Sequence, residues 1–310
     1  MEYQRLAKEL RLALPGLELR EGEPMSAHCT FRIGGPADLF AAPASEPELL
    51  ALLALLRERQ VPWLLLGRGS NLLIPDEGYR GVAVRLGPGL DEVRAEGETL
   101  YAGAGAALSA VSQRAREEGL TGLEFAQGIP GSLGGAVVMN AGAYGGELKD
   151  VVRSVRYLDA GGTLRETADP GFSYRRSMFS QGGLTVLSAA LTLRPGDGAA
   201  IAARMRELAE QRQAKQPLDL PSAGSTFKRP ATGFAAAMID GAGCKGLRVG
   251  GAQVSEKHAG FVVNTGGATC ADVLALMELV KARVYEKYGV ELEPEVRVIS
   301  NSQCAICNVQ

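Results

Sequence analysis

Residues 67–72, Gly67-Arg68-Gly69-Ser70-Asn71-Leu72, lie between two leucine-rich runs in the stretch LLLGRGSNLL. Successive main-chain N–H groups in a tight glycine-rich turn make an anion-binding concavity, to which the Arg68 guanidinium and the Ser70 hydroxyl add donors. The chemistry this offers is capture of a phosphate, with an ordinary turn as the plain alternative. It is not a Walker A loop, which needs Lys-Ser/Thr after its last glycine. Nor is it a GxGxxG turn opening a helix, because a strand is expected to follow. A second segment, GIPGSLGGAVVMNAGAYGG (128–146), presents still more backbone: Gly128, Ile129, Pro130 and Gly131, then Gly134 and Gly135, then Asn140, Ala141, Gly142 and Ala143. Its Leu, Val and Met content is wrong for a flexible linker. The glycines therefore read as sites of positive φ or of close backbone approach to a ligand. Two such loops suit a pyrophosphate with two nucleoside arms, so a dinucleotide leads over a purely structural glycine-rich layer.

Other polar groups stand among apolar ones in SYRRSMF, AGSTFKRP, SEKHAGFVVN and EPEVRV. Taken singly they are unremarkable. Arg175 beside Tyr174 reads as a surface or ion-paired arginine, Ser225 after Gly224 as a turn residue, and Glu295 as a strand carboxylate that would need a partner if buried.

The elements that must position these residues follow from periodicity. Leu6, Leu10 and Leu14 share one face of a first helix, and FRIGGPADLFAAP reads as a strand entering and leaving Gly34-Gly35. Ser45 with Glu48 predicts a capping box ahead of the apolar helix ELLALLALLRE. WLLL, a short strand after the first glycine loop, and GVAVRL complete an α/β layer. TLYAGAGAALSAVSQRAREEG repeats the strand-then-helix pattern, and VVRSVRYLDAGGTLRETA is a hairpin turning at Gly161-Gly162. GLTVLSAALTLRPG adds a strand, and a helix follows that ends at Pro217. The remainder carries its own strands, a long helix that a Thr269/Asp272 pair caps, and VELEPEVRVI, a strand of alternating character.

The chain has 310 residues, 46% of them hydrophobic, enough for two or three domain cores. Its 33 basic and 35 acidic residues form no long single-sign block, which argues against nucleic acid or an anionic membrane surface as partner. The apolar run at 49–56 is far short of the ~20 residues a membrane span needs. MEYQRLAKELRLAL has no apolar core of the secretory kind, so a cytoplasmic location and reduced cysteines are expected. The CAIC pair (Cys304, Cys307) has CxxC spacing but no second ligand pair, and the chain holds two histidines; no metal is expected.

Taken in order, TFRIGGPADLF, GRGSNLLIPDEGYRGVAVRL, GIPGSLGGAVVMNAGAYGGEL, SYRRSMF, SAGSTFKRP, KHAGFVVN and LEPEVRVI closely resemble the UDP-N-acetylenolpyruvoylglucosamine reductases, from about residue 30 to 299. The resemblance implies an α+β fold whose FAD-binding part is of the vanillyl-alcohol-oxidase type. Residues 1–87, with 296–310 returning to them, form one FAD subdomain, 88–217 a second, and 218–295 a substrate domain. FAD and NADPH are the implied cofactors and UDP-N-acetylglucosamine enolpyruvate the substrate, in a chain expected to act as a monomer. GRGSN becomes the FAD pyrophosphate loop and 128–146 the wrap on its other side, the glycines letting amides approach where a Cβ would collide. Neither loop holds His or Cys, so a non-covalent flavin is expected.

The resemblance maps a catalytic arginine onto Arg175, a proton-donating serine onto Ser225 and an essential glutamate onto Glu295. Hydride delivered to the enolpyruvyl C3 leaves charge that a guanidinium would stabilise, and the serine would protonate C2. This chain departs from the pattern at Arg229, where many relatives have Asn. It also has no room for the tyrosine-bearing loop of one subclass. Tyr174, Lys228, Arg229, Lys257 and His258 are therefore the expected substrate contacts, with Lys228, Lys257 and His258 assigned to the diphosphate. Two other classes stay open: a flavin oxidase on the same fold, which would consume oxygen, and a non-catalytic nucleotide-sugar-binding protein, which would purify colourless.

Overall fold

The computed structural model describes residues 2–301 and the backbone of 307–309. Helix α1 (Glu2–Ala13) buries Leu6, Ala7 and Leu10 and leaves Leu14 half-buried just beyond its end. The chain then enters a five-stranded sheet in the order 18–24, 36–42, 79–85, 63–66, 307–309. The first pair is antiparallel and the other three pairings are parallel. Its interior strands are apolar on both faces, as a doubly covered sheet requires. Trp63 and Leu65 enter one hydrophobic core while Leu64 and Leu66 enter the other. At such fully buried positions Leu→Ala costs roughly 2–5 kcal/mol.

The second five-stranded sheet is antiparallel throughout, in the order 164–167, 152–158, 185–192, 99–103, 93–96. Its hairpin turns where expected: Gly162 adopts φ 86°, and the Asp159 carboxylate accepts the Thr163 N–H at 2.8 Å. Its buried side chains share the first core with α1, α2 (Glu46–Glu58), α3 (Leu108–Glu117) and α4 (Leu133–Met139). Helix α5 (Gly198–Lys215) ends two residues before Pro217. Strands 222–225, 261–264, 252–254 and 248–249 form a third, antiparallel sheet. With α6 (Ala235–Gly241) and α7 (Cys270–Tyr288), it packs into the second core.

The caps form with one difference. Thr269 and Asp272 make the full box on α7. Ser45 accepts the Glu48 N–H, but the Glu48 carboxylate reaches back to the N–H of Ala44 instead of Ser45. Asp76, far away in sequence, also accepts the Cys270 and Ala271 N–H groups at 2.7 and 3.1 Å and so ties the first sheet's loop to the start of α7.

Two expected strands are corrected. FRIGGPADLFAAP is a strand only from Pro36 to Ala42, because Arg32 (φ 55°) and Gly34 (φ 136°) turn the chain before it. A strand at Glu18–Pro24, whose charged sequence gave no strand signal, takes the sheet edge instead. VELEPEVRVI has a regular strand only at Arg297–Val298, paired in parallel with Leu72–Leu73. Pro294 has no N–H, and the neighbouring hydrogen bonds run to separate segments rather than to one ladder. Cys304 lies outside the described residues. Among the described residues, no helix is long and apolar enough to cross a membrane.

Candidate active site

The segment 293–297 laces the site together. The Glu295 N–H donates to the Thr226 carbonyl at 2.8 Å, the Asn71 Nδ2 donates to the Glu295 carbonyl at 3.1 Å, and the Arg297 N–H donates to the Asn71 carbonyl at 2.9 Å. The GRGSN loop, the Ser225 strand and Glu295 are thereby held side by side on the wall of one cavity of about 960 Å³. That is at the upper end of the ~300–1,000 Å³ usual for small-molecule sites.

Of the first loop, residues 68–72 line this cavity; Gly67 sits behind them, buried at the end of the 63–66 strand. The main-chain N–H groups of residues 68–71 donate to no other described residue. Gly69 is required by the fold itself: at φ 62°, a Cβ there would meet the His28 carbonyl oxygen at 2.2 Å. From the second segment, Gly128, Ile129, Pro130, Gly131, Gly135 and the 141–143 stretch line the cavity, and the N–H groups of Gly131 and Ser132 are likewise unpartnered among the described residues. Unpaired amides in two loops that line one cavity are donors an anionic cofactor can use, and they fit the diphosphate of FAD.

Two residues of that segment work elsewhere. Gly134 does not line the cavity; its N–H donates to the Ala104 carbonyl at 2.9 Å. Asn140 is buried at φ 43°. It donates to the Glu147 carboxylate at 2.9 Å and the Ser173 carbonyl at 3.1 Å, and its Oδ1 accepts the Lys149 N–H. It thus braces the hairpin of Gly142 against the segment of Arg175. The glycine at 142 is set by protein packing, since its Cβ would meet the Gly146 carbonyl oxygen at 2.6 Å.

Arg175, Ser225 and Glu295 all line the cavity. Arg175 Nε donates to Glu295 Oε1 at 2.6 Å and its Nη1 to the Gly142 carbonyl at 3.3 Å; the residue itself adopts φ 54°. Burial pushes the Glu295 carboxyl up from its ordinary value, opposed by the charges of Arg175 and then Lys228. Ser225 follows Gly224 (φ 76°) at an irregularity in strand 222–225, and its hydroxyl is bonded to no described residue.

The expected substrate contacts divide, with only His258 lining the cavity. Its Nδ1 accepts the Gly260 N–H at 3.2 Å, and burial lowers its pKa. Lys228 is paired with Glu293, and Lys257 Nζ donates to the Gln213 carbonyl at 2.6 Å. The Arg229 guanidinium lies over the Phe234 ring, and the Tyr174 hydroxyl accepts the Arg229 N–H. In this fold these four stand outside the cavity lining and engage protein partners. The structure adds lining residues that sequence reasoning missed: Arg32, Tyr144, Arg212 and the 216–221 stretch. Arg212, in AEQRQAKQP, had no local signal beyond being basic near a helix end.

The fold and the loop-lined cavity define an FAD-dependent oxidoreductase of the vanillyl-alcohol-oxidase type, and the comparisons carry this further. Residues 37–168 match the family described as FAD binding domain, and 216–299 match UDP-N-acetylenolpyruvoylglucosamine reductase, C-terminal domain. The chain is similar to the UDP-N-acetylenolpyruvoylglucosamine reductase of Syntrophomonas wolfei, 48% identical over 92% of this chain and 96% of that one. It is also 48% identical to that of Caldanaerobacter subterraneus, over 95% and 98%. The crystal structure of the Thermus caldophilus enzyme superposes with a TM-score of 0.78 at 35% identity, covering 92% of this chain and 99% of that one. The chain belongs to the UDP-N-acetylenolpyruvoylglucosamine reductase family.

Proposed function

We propose that this protein reduces UDP-N-acetylglucosamine enolpyruvate to UDP-N-acetylmuramate for peptidoglycan synthesis, using NADPH, as a cytoplasmic monomer. The observation that carries the reading is the convergence of Arg175, Ser225 and Glu295, from three distant segments, on the cavity that both glycine-rich loops line. In this reading 1–87 with 296–310, 88–217 and 218–295 are the two FAD subdomains and the substrate domain. Bound FAD supplies the two-electron relay between NADPH and the enolpyruvyl double bond.

The 68–71 and 131–132 amides hold the cofactor's diphosphate. Arg175 meets the substrate carboxylate, where negative charge grows as C3 is reduced; a charge-assisted hydrogen bond already fixed in place strengthens as that charge develops. Two of its nitrogens are engaged by Glu295 and Gly142, which leaves Nη2 for the substrate and fixes the plane of the guanidinium. Glu295 is thus a positioning residue for Arg175. The Ser225 hydroxyl, with no partner among the described residues, holds the proton delivered to C2. His258, its Nδ1 occupied as an acceptor, offers an Nε2–H to the nucleotide-sugar part.

The test combines a spectrum and an assay. The purified protein should show flavin absorption and oxidise NADPH beyond the one equivalent that reduces its flavin only when the enolpyruvyl substrate is added. Colourless protein supports the binding-protein alternative, and oxygen consumption with an alcohol or sugar supports the oxidase.

A further inference from the structure

Arg212 stands in the last turn of α5, and its side chain lines the cavity. Its Nη1 donates to the Gly128 carbonyl, and Tyr144 lies near enough to act on its charge. Its Nε is buried with no hydrogen-bond partner among the described residues. No described carboxylate contributes to its environment, whereas Arg175 has Glu295 and Arg156 is clasped at both ends by Glu46. Burial draws its pKa below the ordinary guanidinium value, yet an arginine in a protein stays charged. A half-buried cation with no counter-charge among the described residues is unfavourable unless something in the cavity answers it. Its position says what that is: it grips the first residue of the 128–132 loop, whose Gly131 and Ser132 amides are unpartnered among the described residues.

We propose that Arg212 binds FAD directly: its guanidinium supplies the counter-charge for an anionic oxygen of the cofactor while pinning the loop at Gly128 against it. The proposal rests on the reading of this cavity as the FAD site. The oxygen belongs either to the diphosphate or to the flavin ring.

The test compares wild-type holoenzyme with Arg212→Met, which keeps the aliphatic stem, and Arg212→Lys, which keeps the charge. FAD release after dilution should be about 10- to 100-fold faster in Arg212→Met, the range for a lost hydrogen bond to a charged group. Arg212→Lys should recover part of this, since it lacks the planar fork. A lowered midpoint potential of the bound flavin in Arg212→Met places the contact on the ring, and an unchanged potential places it on the diphosphate. Wild-type release rates in Arg212→Met, whether or not its Tm falls, overturn the proposal. So does weakened binding of UDP-N-acetylglucosamine, read as a flavin absorbance change, with FAD release unaltered. Failure of the underlying reading looks different, because wild-type protein would itself purify without flavin.

Discussion

Arg175 and Glu295 lie 120 residues apart in the chain and meet at 2.6 Å in the cavity wall, with the Arg175 Nη1 held at 3.3 Å from the Gly142 carbonyl. A planar donor set fixed on two sides before a ligand arrives is suited to recognising a carboxylate in one orientation. It also ties the second glycine segment to the far end of the chain.

The first prediction concerns that fork. Arg175→Lys keeps a positive charge but cannot satisfy Glu295, Gly142 and a substrate carboxylate together. Reoxidation of the flavin by the enolpyruvyl substrate should slow ~10²–10³-fold, the range for removal of one preorganised charge-stabilising donor. Reduction by NADPH should change little. Stopped-flow flavin absorbance separates the two; equal slowing of both would remove Arg175 from the substrate step.

A second prediction follows from the raised carboxyl of Glu295, whose cause is burial. The folded state then holds this proton more tightly than the unfolded chain does. The stability contributed by Glu295 is therefore complete below its ordinary value of 4.5 and is lost as pH rises through the raised folded value. Compared with Glu295→Gln, which does not titrate, wild type should lose stability across that window. Urea unfolding of both proteins over a pH series measures the difference. A wild-type curve that gains on the variant as pH rises would mean that Arg175 outweighs burial.

Much of the scaffold is legible in the residues themselves. The Thr269/Asp272 box, the Gly161-Gly162 turn and the Pro217 stop are local signals, decided by groups a few residues apart. Glu18–Pro24 escapes because an edge strand with exposed positions need not alternate cleanly. The 290–299 segment misleads in the opposite sense: its alternation is real, but Pro294 interrupts any ladder and its hydrogen bonds go to Thr226 and Asn71. The contacts of Lys228 with Glu293 and of Lys257 with Gln213 are tertiary facts, as is the lack of a carboxylate beside Arg212 among the described residues. A sequence shows which residues can carry charge, and only the fold shows which charge is already spent.

The glycines give a third prediction by dividing into two kinds. Gly69→Ala puts a Cβ into the His28 carbonyl at a left-handed φ, so it should lower the Tm of the protein with or without flavin. Gly135 lines the cavity, and Gly135→Val should lower flavin occupancy more than it lowers the Tm of flavin-free protein. Absorbance ratio and thermal melts report both quantities. Full occupancy in Gly135→Val would assign this glycine to helix packing alone.

The last prediction concerns Ser225, whose hydroxyl lines the cavity and is bonded to no described residue. A serine is a weak acid, so its value as a donor depends on placement beside C2 at the moment negative charge reaches that carbon. Reduction of the flavin by NADPH requires no proton at C2, and Ser225→Ala should leave that half-reaction close to wild type. Reoxidation by the enolpyruvyl substrate does require one, and loss of a positioned general acid costs typically ~10²–10⁴-fold. Ser225→Cys should retain more activity than Ser225→Ala, because a thiol still donates. Solvent deuterium separates a proton-transfer role from a packing role: slowed proton delivery should enlarge the solvent isotope effect on reoxidation in Ser225→Cys. If Ser225→Ala reoxidises at the wild-type rate, the proton comes from another group, and Glu295, the other titratable member of the trio, becomes the donor to test.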